Sequence, residues 1–224
     1  MTAQRLSLWI DAAPRPGPEA MAVDEWLWAT AAEPVLRIYR WSGNWGSIGC
    51  FGRLDEARAA LPGLDWVRRW TGGGTVDHRR DWTYTLVVPA GEPLAALRGA
   101  ESYRIIHRAL AAALIEEGRT AELAGLSPAA AGGLCFVKPV EHDLLDAGGC
   151  KLAGAGQRRN RAGLLHQGSV ALPVADASAS ILRARRLAAA LAGSFGETEF
   201  HPPAEDLRQR IARRYGNPEW TGRR

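Results

Sequence analysis

A glycine-rich segment flanked by cations is the clearest candidate for chemistry in this sequence. It reads Arg68-Arg69-Trp70-Thr71-Gly72-Gly73-Gly74-Thr75-Val76-Asp77-His78. Glycine has no Cβ and takes positive φ at little cost, so three in succession let the backbone come close to a ligand. Successive amides in such a corner can converge on a carboxylate or phosphate oxygen. The segment predicts a site for an anionic small molecule, although a tight hairpin turn with solvated arginines has the same composition.

Two later segments carry side chains that suit the same kind of site. Among 28 basic residues only Lys138 and Lys151 are lysine, and lysine alone offers a compact ammonium whose pKa can be tuned. After Lys151 and Leu152 come four small residues, 153–156, and His166 follows two leucines. Taken alone, Lys151 fits a surface lysine and His166 fits a core histidine. Their meaning depends on whether they meet the glycine corner.

Length and composition limit the class of protein. The chain has 224 residues, 46% hydrophobic content and a net charge of +4, which predicts one domain over residues 1–224 with a C-terminal helical segment at about 176–224. No apolar run is long enough to span a membrane, so we expect no membrane association. The positive excess is modest and spread along the chain until the tail, so we expect no nucleic-acid partner. The three cysteines lack metal-ligand spacing, so we expect no metal site and a reduced, cytoplasmic protein.

The elements that must position these residues alternate between helix and strand. Helical periodicity predicts helices at 19–31, around 103–114, at 176–192 and at 203–215. Alternating patterns predict strands at 35–41, 65–70, 83–88 and 164–172, and a hairpin that ends at Lys151. Pro14, Pro16 and Pro18 predict a stiff loop before the first helix. Intermingled helices and hairpins indicate an α+β fold with a central mixed or antiparallel sheet flanked by helices.

Three ordered motifs resemble the lipoate-protein ligase and octanoyltransferase family, which is related to biotin-protein ligases. The family pattern Arg-Arg-x-x-Gly-Gly-Gly-x-Val-x-His is matched by Arg68 to His78. The pattern Lys-x-x-Gly-x-x-Gln-Arg is matched by Lys151 to Arg158, and Leu-His-x-Gly-Ser/Thr by Leu165 to Ser169. The resemblance implies a biotin/lipoate-protein ligase catalytic domain of the class II synthetase type, with a tunnel for a medium-chain acyl group.

The same resemblance implies which residues form the site. Lys151 would bond the carbonyl or phosphate oxygen of an activated acyl group and stabilise the charge that develops there. Cys135, followed by Phe136, Pro139 and an acidic residue, is similar to the cysteine-bearing segment of one octanoyltransferase branch and would be the nucleophile. Cys135 also fits a small buried hydrophobe, and Cys150 is a competing nucleophile. The implied substrate-binding residues are Arg69, Gly72, Gly73, Gly74, Thr75, Val76, Asp77, His78, Gly154, Gln157, His166 and Gly168.

The family divides by how the acyl group is activated. Octanoyltransferases take octanoyl-acyl carrier protein through a cysteine thioester and need no cofactor, whereas ligases take free lipoate with ATP and Mg through an acyl-adenylate. Cys135 favours transfer, and Arg79 stands where family members often have an acid, which argues against ATP use. The implied partners are acyl carrier protein and the lipoyl domains of 2-oxoacid dehydrogenases or the glycine cleavage H protein. A non-catalytic relative that binds a carboxylate or a carrier protein remains the alternative.

Overall fold

A mixed β-sheet forms the centre of the molecule. The computed structural model describes residues 3–125, 139–173 and 176–223, and within them the large sheet has eight strands. Its strands are β1 (Ala3–Arg15), β2 (Val35–Trp41), β6 (Trp82–Pro89), β7 (Glu122–Leu123), β8 (Leu144–Leu145), β9 (Lys151–Asn160), β10 (Gly163–Val170) and β11 (Ala192–Glu197). The strand order is β11-β1-β2-β6-β10-β9-β8-β7. β1 pairs in parallel with β11 and β2, and the remaining pairs are antiparallel.

A second, smaller sheet carries the glycine corner. It contains β3 (Trp45–Ile48), β4 (Asp65–Arg68) and β5 (Val76–Asp77), in the order β4-β3-β5. β4 therefore ends in the small sheet, while β6 lies in the large one. The glycine corner itself connects β4 to β5, which lie on opposite sides of β3, so it is not a hairpin turn between adjacent strands.

Helices cover both faces of the large sheet. In the described part of the chain they are α1 (Gly17–Thr30), α2 (Leu54–Ala60), α3 (Pro93–Ala96), α4 (Gly99–Ile115), α5 (Ala177–Leu191), α6 (Ala204–Arg210), a π-helical turn (Ile211–Tyr215) and α7 (Pro218–Gly222). One apolar core joins the large sheet to α4 and α5, a second joins it to α1 and the C-terminal helices, and a third, smaller one joins α2 to the small sheet. Because side chains alternate along a strand, Leu36 and Ile38 enter the first core, while Val35 and Tyr39 enter the second.

The α+β prediction with a mixed sheet and flanking helices is confirmed, and two local predictions need correction. β1 continues through Pro14, where a stiff loop was expected, because the pairing register with β2 shifts between Asp11 and Arg15 and the proline falls in that irregular stretch. β11 lies in the C-terminal segment at about 176–224 that was expected to be helical. Its sequence has weak alternation, and parallel pairing with β1 makes it a strand. Among the described residues no helix is long and apolar enough to cross a membrane.

Candidate functional site

A cavity lies between α1, the glycine corner and the large sheet. Its empty space, including the opening to solvent, is about 470 Å³. Its lining residues come from both sheets and from α1. They are Met21, Tyr39, Trp41, Arg69, Gly74, Thr75, Val76, His78, Thr83, Lys151, Gly154, Ala155, Gly156, Gln167, Gly168 and Ser169.

The floor of this cavity is one row of residues across four strands. Gly154 on β9 pairs with Ser169 on β10, Ser169 pairs with Thr83 on β6, and Thr83 pairs with Tyr39 on β2. Three interstrand steps of roughly 4.8 Å give a floor about 14 Å long. Lys151 lies at the β9 end, where a Cβ on Gly154 would meet its Nζ at 2.6 Å. At the other end, Trp41 follows Tyr39 by two residues along β2.

Lys151 points into the cavity and is held there by a buried acid. Its side chain is 11% exposed, and its Nζ lies 2.7 Å from Oδ2 of Asp143, whose side chain is fully buried. The Tyr103 hydroxyl donates to Oδ1 of the same carboxylate at 2.5 Å. Lys151 and Gly74 line one cavity, so the second sequence motif meets the first.

Close backbone packing shapes the glycine corner. Gly73 has φ +87°, which favours glycine. On one side a Cβ at Gly49 would lie 1.8 Å from the Gly73 carbonyl oxygen, and on the other a Cβ at Gly156 would lie 2.3 Å from the Gly72 carbonyl oxygen. The Gly72 N–H donates to the Gln157 carbonyl at 3.3 Å. Gly72 and Gly73 therefore pack against neighbouring backbone, and only Gly74 of the three lines the cavity.

A chain of hydrogen bonds connects Arg69 to the floor. The Arg69 guanidinium donates to the Gly74 carbonyl at 2.8 Å and to the Ser47 hydroxyl at 2.5 Å. Ser47 lies 2.6 Å from Nε2 of His78, whose Nδ1 lies 2.8 Å from a carboxylate oxygen of Asp81. Ser169 and Thr83 donate to that same oxygen. This chain fixes both the corner and the cavity floor.

Trp41 lines the cavity from β2, the strand of the floor that is farthest from Lys151. Its ring stacks on the His78 ring with a centroid distance of 3.9 Å. Its Nε1 donates to the Thr83 hydroxyl at 2.9 Å. Two contacts therefore hold this indole in one orientation.

Gln167 and His166, which are neighbours on β10, lie on opposite faces of the sheet. Gln167 donates to Asp24 at 2.7 Å, accepts from Thr71 at 2.7 Å and lines the cavity. His166 lies behind the sheet, with its ring nitrogens 2.9 Å from Gln157 and 3.1 Å from the Tyr84 hydroxyl. Complete burial holds the pKa of His166 well below its ordinary value. His166 is thus a neutral part of the structure behind the site.

The remaining predicted residues divide by position. Arg69, Gly74, Thr75, Val76, His78, Lys151, Gly154 and Gly168 line the cavity, whereas Gly72, Gly73, Asp77, Gln157 and His166 do not. Asp77 pairs with Arg79 outside the cavity at 2.6 Å. Burial opposes ionisation of Asp77, but the hydrogen bonds from Arg79 outweigh burial and lower the pKa of Asp77.

The three cysteines differ in position. Cys135 lies outside the described residues, Cys150 is exposed, and Cys50 is buried. The binding roles stay predictions.

The cavity also includes residues that the motifs did not single out. Strand alternation could have predicted Tyr39, Trp41 and Thr83 as lining residues, but only if the pairing of β2 with β6 had been known. Met21 lies on the α1 face that packs against the same sheet. Among the described residues, no group of three or more His, Cys, Asp or Glu side chains is arranged to hold a metal ion.

The chain belongs to the lipoyl protein ligase A/B catalytic domain family, whose model matches residues 16–185. The family resemblance inferred from the three motifs is therefore confirmed. Solved structures agree at the level of the fold. A lipoate protein ligase from T. acidophilum with bound lipoic acid and a lipoate-protein ligase A bound with ATP have TM-scores of 0.75 and 0.74. Each is 20% identical to this chain, and each alignment covers 99% of both chains.

Sequence relatives bear a more specific name, octanoyltransferase LipM. The protein from Symbiobacterium thermophilum is 34% identical over 180 residues, which are 74% of this chain and 65% of the relative. The protein from Kyrpidia tusciae is 36% identical over 172 residues, or 68% of this chain and 61% of the relative. The chain thus spans less than two thirds of the length of these relatives.

Proposed function

We propose that this protein moves an octanoyl or lipoyl group from a carrier-protein thioester to a lysine of a lipoyl domain. The observation that carries the proposal is Lys151, whose ammonium lies at one end of a floor about 14 Å long that ends near Trp41. Such a space suits a medium-length acyl chain whose carbonyl meets the ammonium. The relatives named octanoyltransferase support the same reaction.

The chemistry consists of two acyl transfers. In the first, the Cys135 thiolate attacks the thioester carbonyl, a new C–S bond forms, the C–S bond to the carrier breaks, and the carrier leaves as a thiolate. In the second, the acceptor lysine amine attacks the enzyme thioester, an amide bond forms, and the Cys135 thiol leaves with the proton of the amine. Lys151 would stabilise the oxyanion in both steps. The role of Cys135 depends on its sequence resemblance alone.

The partners and location follow from this reaction. The donor would be octanoyl-acyl carrier protein, and the acceptor a lipoyl domain of a 2-oxoacid dehydrogenase or the glycine cleavage H protein, in the cytoplasm. Transfer from a thioester needs no nucleotide, so no cofactor would be required. The pairing of Arg79 with Asp77 is consistent with this, since an arginine stands where an acid often serves the nucleotide-using members.

Intact-protein mass spectrometry tests the proposal. We expect the purified protein to gain an octanoyl group from octanoyl-acyl carrier protein and to pass it to an added lipoyl domain, with no adduct on Cys135→Ala. Lys151→Arg should slow transfer about 10²–10³-fold, as expected for the loss of an oxyanion-stabilising donor. Arg185→Lys, at a surface pair with Glu197, is the matched control and should act like the wild type.

Three results would contradict the proposal. An adduct that survives Cys135→Ala would exclude the cysteine route. Formation of an adenylate from ATP and lipoate, with no transfer from the thioester, would identify a ligase instead. Ligand-dependent stabilisation without turnover of either donor would indicate a binding relative.

A further inference from the structure

The Asp143 carboxylate has three hydrogen-bonding partners. Its side chain is fully buried, and its Oδ2 accepts from Lys151 at 2.7 Å and from the Val140 N–H at 2.8 Å. Its Oδ1 accepts from the Tyr103 hydroxyl at 2.5 Å. A buried carboxylate is tolerated only when it is paired and hydrogen-bonded. Here both oxygens are used, and one of them faces the Lys151 ammonium.

Tyr103 connects this carboxylate to the cavity wall. Its hydroxyl oxygen accepts from the N–H of Ala155, a cavity-lining residue of β9, at 2.8 Å. Burial, and then the negative charge of Asp143, raise the pKa of Tyr103 well above its ordinary value, so the hydroxyl stays a donor. Helix α4, the 139–143 segment and β9 thus meet at one hydrogen-bonded cluster beside Lys151.

The proposed reaction creates a hazard for that lysine. An uncharged amine beside an acyl thioester attacks the carbonyl: an N–C bond forms, the C–S bond breaks, and the thiol leaves with a proton of the amine. The enzyme would perform this reaction on the lysine of another protein. Its own lysine must lie close to the same carbonyl without becoming the acceptor.

We propose that Asp143 is a positioning residue that holds Lys151 as an oriented ammonium, so that Lys151 stabilises the oxyanion and is not itself acylated. This inference rests on the proposed function and adds a specific protection to the same site. Tyr103 supports the arrangement by occupying the second carboxylate oxygen. The ammonium has no lone pair with which to attack, and the ion pair fixes its direction toward Gly154.

Self-acylation of a variant is the direct test. Asp143→Asn has nearly the same shape and removes the charge. We expect it to transfer octanoyl at least tenfold more slowly and to accumulate an octanoyl amide on the peptide that contains Lys151, found by digestion and mass spectrometry. The wild type should show no such peptide. In the double variant Asp143→Asn, Lys151→Arg the adduct should disappear.

Three further variants separate positioning from folding. Asp146→Asn, whose carboxylate caps the neighbouring turn through Gly148 and Cys150, is the matched control and should show neither effect. Asp143→Glu keeps the charge and should form no adduct. Tyr103→Phe should form a smaller amount of it. Thermal unfolding of each variant identifies any that fail to fold.

The inference and the proposed function fail in different ways. A folded Asp143→Asn protein with no adduct on Lys151, whatever its transfer rate, would overturn the inference. A wild type that transfers nothing from any thioester would overturn the proposed function. In that case a small octanoyl thioester still decides the inference, since acylation of Lys151 in Asp143→Asn, and not in the wild type, needs no protein partner.

Discussion

The side chains near the site divide by the face of the sheet from which they extend. Gln167 and His166 are adjacent in sequence, yet Gln167 lines the cavity and His166 is fully buried behind it. The physical cause is the alternation of side chains along β10. The histidine of the Leu-His-x-Gly-Ser motif therefore does not face the cavity, and its neighbour does.

The buried histidines predict how stability depends on pH. Burial lowers the pKa of His107 to about 4, against an ordinary value of about 6.5. Between these values the unfolded chain binds a proton that the folded chain does not, so stability falls as pH decreases. For His107 alone the loss reaches about 3 kcal/mol at pH 4, and His166 adds to it in the same direction.

Urea unfolding measured at several values between pH 6.5 and pH 5 checks this expectation. His107→Phe should reduce the slope of unfolding free energy against pH. His201→Phe, at an exposed position, is the matched control. An unchanged slope in His107→Phe would contradict the prediction.

Among the elements, the glycine corner depends on Gly156 of the neighbouring strand more than on its own Gly72. A Cβ at Gly156 on β9 would meet the Gly72 backbone oxygen at 2.3 Å, whereas a Cβ at Gly72 would meet nothing within 4 Å. We expect Gly156→Ala to lower the free energy of unfolding by about 1–3 kcal/mol. Gly72→Ala should change it by less than about 0.5 kcal/mol. Chemical denaturation of both variants tests this. Equal losses of unfolding free energy would contradict the prediction, because they would mean that Gly156 packs no more closely than Gly72.

The strand row predicts which element limits the acyl chain. Trp41 is the last residue of β2, which is the strand of the floor that is farthest from Lys151, and it lines the cavity. We compare kcat/KM for a longer acyl donor with kcat/KM for the octanoyl donor. We expect Trp41→Ala to raise the ratio of the two by about tenfold or more, because one added methylene changes kcat/KM by about 10–200-fold in a fitted pocket. Trp26→Ala, outside the cavity lining, is the control. An unchanged ratio would show that the acyl chain does not extend toward Trp41.

At the scale of the whole molecule, the C-terminal segment supports the glycine corner from behind. The buried guanidinium of Arg68 donates to the carbonyls of Trp220, Thr221 and Arg223 at 2.7 to 3.0 Å. Arg214 lies over the Trp70 ring at 3.7 Å and pairs with Glu25. Arg214, one of the arginines that make the C-terminal segment basic, thus forms contacts within the molecule.

Removing residues 218–224 tests this support. Arg68 would lose three acceptors in a buried position, and we expect the free energy of unfolding to fall by at least about 2 kcal/mol, with a loss of transfer activity. Arg208→Ala, which breaks an exposed pair with Glu205, should have an effect below about 1 kcal/mol. Full stability of the shortened protein would show that the segment does not support the corner.

Much of the molecule could be predicted from sequence, because local periodicity and short motifs carry local information. The long helices, the strands β2, β6 and β10, the α+β class and the family all followed from such patterns. Lys151 was singled out because lysine is rare in this chain. Short and irregular strands such as β11 could not be predicted, since pairing with a distant partner stabilises them.

By itself, the sequence determined the family, the fold class and the residue types that the site needs. Only the tertiary structure decided which of them share a cavity. That choice depends on strand order and register, which bring Gly154, Ser169, Thr83 and Tyr39 into one row although they are far apart in the chain. It also depends on burial, which pairs Lys151 with Asp143 because a buried charge requires an opposite one.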